Sequence, residues 1–114
     1  MKTYWETPTS NLFNTANWSG GTIPGANDIV ALTVAGNYTV TSNTNHTVLG
    51  VTTGSGATLS ISLSTFTATG GTATGANAGT VTLLDGSTLR IGGIFDNTGL
   101  INLGGNTTST NWPL

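Results

Sequence analysis

The chain has no cysteine and no glutamine, and only two basic and four acidic residues among 114. Without cysteine there is no disulfide framework and no thiolate zinc site. The only cationic side chains, Lys2 and Arg90, cannot make the basic patch that displaces counterions from a nucleic acid. His46 is the single histidine, so a metal site would need it to meet two of Glu6, Asp28, Asp85 and Asp96. His46 reads instead as a turn residue in Ser42-Asn-Thr-Asn-His46-Thr. No apolar run approaches the roughly 20 residues of a membrane span. The first residues also lack the apolar stretch of a signal peptide, which predicts a leader already removed or export by another route.

Thr, Gly, Asn and Ser fill the space, with 25, 17, 12 and 9 copies. Thr is β-branched, favours strands and stacks across neighbouring strands. The charged and long unbranched helix formers are almost absent: one Glu, one Lys, one Arg, one Met and no Gln. The composition predicts an all-β chain whose large apolar groups are thinly spread. Its surface of hydroxyls and amides carries little charge to keep copies apart.

The length suits a single domain, 1–114, in two stretches. Residues 1–28 are loop-like, hold Trp5, Phe13 and Trp18, and read as a capping segment. From Ile29 the chain changes to short runs separated by Gly and Asn: Ile29–Val34, Tyr38–Ser42, Thr47–Thr53, Thr58–Leu63, Thr65–Thr69, Thr80–Leu84, Thr88–Ile91 and Leu100–Leu103. Several alternate with period two. Leu59, Ile61 and Leu63 take one face, and Thr58, Ser60 and Ser62 the other. A frame of the form G-[AS]-T-L-x-I occurs at Gly56–Ile61 and again at Gly86–Ile91. These features predict a parallel β-solenoid over 29–114, in coils of roughly 18–25 residues. An antiparallel sandwich or jelly roll is the alternative.

Catalysis finds little support. No G-x-S-x-G elbow is present. Asp85 and Asp96 would be the acid pair of a polysaccharide-degrading enzyme, which needs two carboxylates some 5–10 Å apart. Both read more simply as turn formers, in Asp85-Gly86 and Asp96-Asn97-Thr98-Gly99. The expectation is therefore no catalytic residue, no cofactor and no metal. Several T-x-T triplets raise ice binding, which needs them at a constant interval. Along the chain they are irregular, so strand faces explain them better.

Tyr4-Trp5, then Asn17-Trp18-Ser19-Gly20-Gly21, Ile23-Pro24-Gly25 and Asn27-Asp28-Ile29-Val30 resemble the opening module of bacteriophage tail and virion surface proteins. The same module opens bacterial surface proteins related to autotransporter passengers. The stretch Gly86–Leu103 is similar to their β-solenoid repeats. The resemblance implies a non-enzymatic structural subunit of an extracellular fibre or virion surface, forming a homo-oligomer or filament. An adhesin for a surface polysaccharide is the alternative it leaves open. A solenoid's first coil exposes an apolar face and strand edges. Trp5, Phe13 and Trp18 are expected to cap or join that end, and Trp112 the other. Asp28 is expected to accept hydrogen bonds from the Asn17–Gly21 backbone.

Overall fold

The computed structural model describes residues 2–4, 22–73, 75–104 and 108–111. They wind into a parallel β-solenoid of about four coils, with no helix among them. Its strands are β1 (Lys2–Tyr4), β2 (Ile29–Leu32), β3 (Tyr38–Ser42), β4 (His46–Val48), β5 (Gly50–Thr53) and β6 (Ala57–Ile61). They continue as β7 (Thr65–Ala68), β8 (Thr80–Leu83), β9 (Thr88–Ile91), β10 (Leu100–Leu103) and β11 (Thr108–Asn111). Three sheets result: β1-β2-β5, then β3-β6-β8-β10, then β4-β7-β9-β11. Every pairing between these strands is parallel, which rules out the antiparallel alternative. Parallel neighbours need a long crossover, and here the rest of each coil provides it.

The register shows why the repeat is hard to see in the sequence. Tyr38 pairs with Ala57, 19 residues on, but Thr58 pairs with Thr80, 22 on, and Thr80 with Leu100, 20 on. Strand positions are kept and the corners absorb the difference. One inward column therefore holds Val40, Leu59 and Val81, all fully buried, and the next holds Ser42, Ile61 and Leu83. Phe66, Ala68, Leu89 and Ile91 meet them from the third sheet, and Val30, Leu32 and Val51 from the first. The G-[AS]-T-L-x-I frame is not the coil repeat. Its two copies lie on β6 and β9, in different sheets.

Other expectations shift in detail. The run Thr47–Thr53 breaks at exposed Leu49 into β4 and β5, which belong to different sheets. The Asp28 carbonyl accepts from both Leu49 N and Gly50 N at this corner (2.9 and 3.4 Å). Leu63 is not a core residue. The strand ends at Ile61, and Leu63 takes a left-handed corner conformation (φ 51°), 78% exposed. Strands β1 and β11 fall where no run was predicted, so the first sheet already begins at Lys2.

Tyr38 is buried at the start of β3, and its hydroxyl has no hydrogen-bond partner among the described residues. Burial pushes the phenol above its usual value near 10; the nearby Val34 backbone opposes this without a hydrogen bond of normal geometry. A raised folded-state value means the contribution to stability is fully present below the unfolded value. It is lost as pH rises through the folded one. Tyr38→Phe is expected to stabilise the fold by about 1 kcal/mol near neutral pH, since it removes a buried, unpartnered hydroxyl. The variant should also lose less stability than the wild type above about pH 10. Thermal melts of both proteins across that range check this.

Candidate functional site

Three places on the solenoid present groups that could act: the lid over its first coils, the corner joining the third sheet back to the first, and the last coil.

At the lid, residues 22–28 lie over the start of the core. Pro24 is buried and Ile23 packs against the apolar cluster. Asp28 closes a local turn, its Oδ2 accepting from Gly25 N at 2.8 Å while its own amide donates to Gly25 O at 3.0 Å. Asp28 is thus a turn-forming residue at the mouth of β2, and the Asn17–Gly21 loop expected to donate to it lies outside the described residues. Trp5, Phe13, Trp18 and Trp112 also lie outside them. His46 is not a turn residue. It opens β4 in register with the buried Phe66, its ring 6.4 Å from the phenyl ring, and its Nε2 is 2.6 Å from Pro24 O. The histidine therefore closes the third sheet's core column and ties the lid to it.

The polar corner was not anticipated. Single-residue bridges extend the first sheet from Thr53 to Asn77 to Asn97, one residue per coil. Asn77 is 1% exposed, with every side-chain polar atom engaged. Its Oδ1 accepts from Thr53 Oγ1, and its Nδ2 donates to Asn97 Oδ1 (2.8 Å) and Leu100 O (3.2 Å). Thr53 Oγ1 in turn accepts from Gly79 N at 3.0 Å. Buried Thr72 repeats the device, donating to Ile94 O and accepting from Asp96 N. These bonds stitch coil to coil where the ladder is too short to do so, because a buried polar group must find a partner. The sequence did carry a signal: Asn77-Ala-Gly79-Thr-Val81-Thr-Leu83 and Asn97-Thr-Gly99-Leu-Ile101-Asn-Leu103 share one frame, 20 residues apart.

Asp85 and Asp96 are not brought together on one face. Asp85 lies at the corner between the second and third sheets, and Asp96 at the corner from the third back to the first. Gly86 has φ 72°, and Ser87 N donates to Leu84 O, so Asp85-Gly86 is a tight turn. Among the described residues no three His, Cys, Asp or Glu side chains gather to hold a metal, and no helix is long and apolar enough to cross a membrane.

The last coil is open. β10 is the outer strand of the second sheet. Ile101 stacks on Val81 and Leu103 on Leu83, both fully buried below, yet Ile101 is only half-buried and Leu103 is 56% exposed. Leu100 beside them is 55% exposed and Phe95 is half-buried. Core positions thus face outward together with a strand edge that pairs with no other described strand.

The class is a parallel β-solenoid, lidded over its first coils and, among the described residues, uncovered at its last. No family model, curated protein or solved structure matches the chain.

Proposed function

We propose that this chain is a non-enzymatic structural subunit of an extracellular fibre or virion surface, and that it self-associates. The observation that supports this is the last coil. Inward positions that are dry in every lower coil stand open there, beside a strand edge able to template another strand. A second solenoid end laid on that coil would bury Ile101 and Leu103 and continue the ladder of β10. Few charges oppose such an approach.

Negative-stain electron microscopy at two protein concentrations tests the reading, with light scattering to give mass. Filaments or uniform particles are expected for the wild type. The paired substitution Ile101→Lys with Leu103→Lys should leave monomers with an unchanged β signal in circular dichroism, because two charges cannot be buried at a stacked end. Single monomers of the wild type at both concentrations would overturn it.

A further inference from the structure

The T-x-T triplets that look irregular along the chain become regular in space. In the second sheet Thr39 pairs with Thr58 and Thr58 with Thr80, while Thr41 pairs with Ser60 and Ser60 with Thr82. These residues alternate with the buried Val40, Leu59, Ile61, Val81 and Leu83, so they stand on the outer face. The result is two columns of three hydroxyls. Strands lie about 4.8 Å apart, and residues two apart along a strand are separated by about 6.6 Å. The unequal intervals of 19 and 22 residues have no effect on this grid because the corners take them up.

None of the six hydroxyls hydrogen-bonds another described residue, whereas hydroxyls at the corners are used: Ser64 on Ser42 O, Thr72 on Ile94 O, Ser87 on Leu84 O. Ser60 sharpens the point. It is only 9% exposed, hemmed in by Thr41 and Thr82, and its hydroxyl has no partner among the described residues. A hydroxyl so placed has its hydrogen bond available only to something seated on the face. The β-branched threonines have restricted χ1 angles, so their oxygens keep the grid.

The make-up of the face selects the occupant. It has no aromatic ring to stack on a sugar, no carboxylate to take a mineral cation and no basic group for a phosphate chain. What suits it is an uncharged solid made of hydrogen bonds, with repeats near those of the strands. The oxygen repeats of hexagonal ice are of this size. We propose that the outer face of β3, β6 and β8 binds ice, its hydroxyls holding waters that merge with the crystal. The methyl groups of the threonines fill the spaces between those waters. A six-hydroxyl face is small, so the expected phenotype is capture by slowly growing ice and slowed recrystallisation. A large freezing-point gap is not expected. This proposal is independent of assembly through the last coil, since the two surfaces share no residue.

The test is slow growth of ice on a cold finger from a solution of the full chain and an inert reference protein. The ratio of the two is read in the ice and in the remaining liquid. The wild type should be enriched in the ice. Thr58→Lys, at the centre of one column, should lose that enrichment, while Thr67→Lys on the outer face of the third sheet should keep it. Matching circular dichroism and elution volume would show that both variants fold. Exclusion of the wild type from ice to the same degree as the reference overturns the proposal, as does equal behaviour of the two variants. Binding to crystalline cellulose that Thr58→Lys abolishes, without ice enrichment, also overturns it and assigns the face to a polysaccharide. A dimer that the same variant dissolves, without ice enrichment, overturns it in favour of a second copy.

Discussion

Gly79→Ala is expected to cost about 3 kcal/mol, the upper range for forcing an extra carbon into a packed interior. That is a large share of the 5–15 kcal/mol that typically holds a domain together. A Cβ at this position would stand 2.2 Å from Ala57 O and 2.3 Å from Gly54 O. Both obstacles are backbone of the preceding coil, so no side chain can swing away. Nor can Gly79 retreat: its amide donates to Thr53 Oγ1 and its carbonyl accepts from Leu100 N at 2.9 Å, holding it from both sides. Gly79 has no left-handed backbone to excuse it, so the requirement is for closeness alone. Gly104→Ala is the control, because its nearest obstacle is 3.6 Å away. Urea unfolding followed by circular dichroism should show a large fall in midpoint for Gly79→Ala and a shift of a few tenths of a kcal/mol for Gly104→Ala. Equal shifts would mean that coil contact does not set the need for glycine.

Asn77→Leu keeps the branched four-atom outline of the side chain at the buried corner and removes its hydrogen bonds. The expected loss is about 2–3 kcal/mol, because Thr53 loses its acceptor and Leu100 O a donor in a place water reaches poorly. Asn97→Ala should cost under about 1 kcal/mol, since Asn97 is exposed and water replaces what it loses. A double-mutant cycle reads the network directly. Adding Thr53→Val to Asn77→Leu should cost less than the sum of the two single changes, as the second substitution removes the hydroxyl that the first left stranded. Additive losses would show that Thr53 and Asn77 act separately.

Much of the fold can be read from residue types. Tyr38–Ser42, Thr88–Ile91 and Leu100–Leu103 form strands with the bounds their alternation predicts. Alternation works there because successive side chains point to opposite faces, inward beside the core column and outward away from it, even in Leu100–Leu103 where the inward positions are not dry. It misleads at Leu63, where the pattern continues by one apolar residue after the backbone has already turned. It merges β4 with β5 because the corner at Leu49 is a single residue, and the one glycine there, Gly50, is itself the first residue of β5. The stitching residue Asn77 looked like one amide among twelve. Only the register shows that it stands between Thr53 and Asn97.

By itself, then, the sequence determines the class. Scarce charge, no cysteine and period-two runs rich in threonine require many short strands around a thin apolar core, closed by tight corners. The tertiary structure alone decides which strand lies above which. That choice rests on contacts between residues 19 to 27 positions apart, and corners of unequal length hide such intervals from any fixed period. It turns scattered T-x-T triplets into a grid, moves Asp85 and Asp96 to separate corners, and leaves Ile101 and Leu103 uncovered. Each of these is a fact about neighbouring coils, and strand stacking at a constant spacing of about 4.8 Å is what creates it.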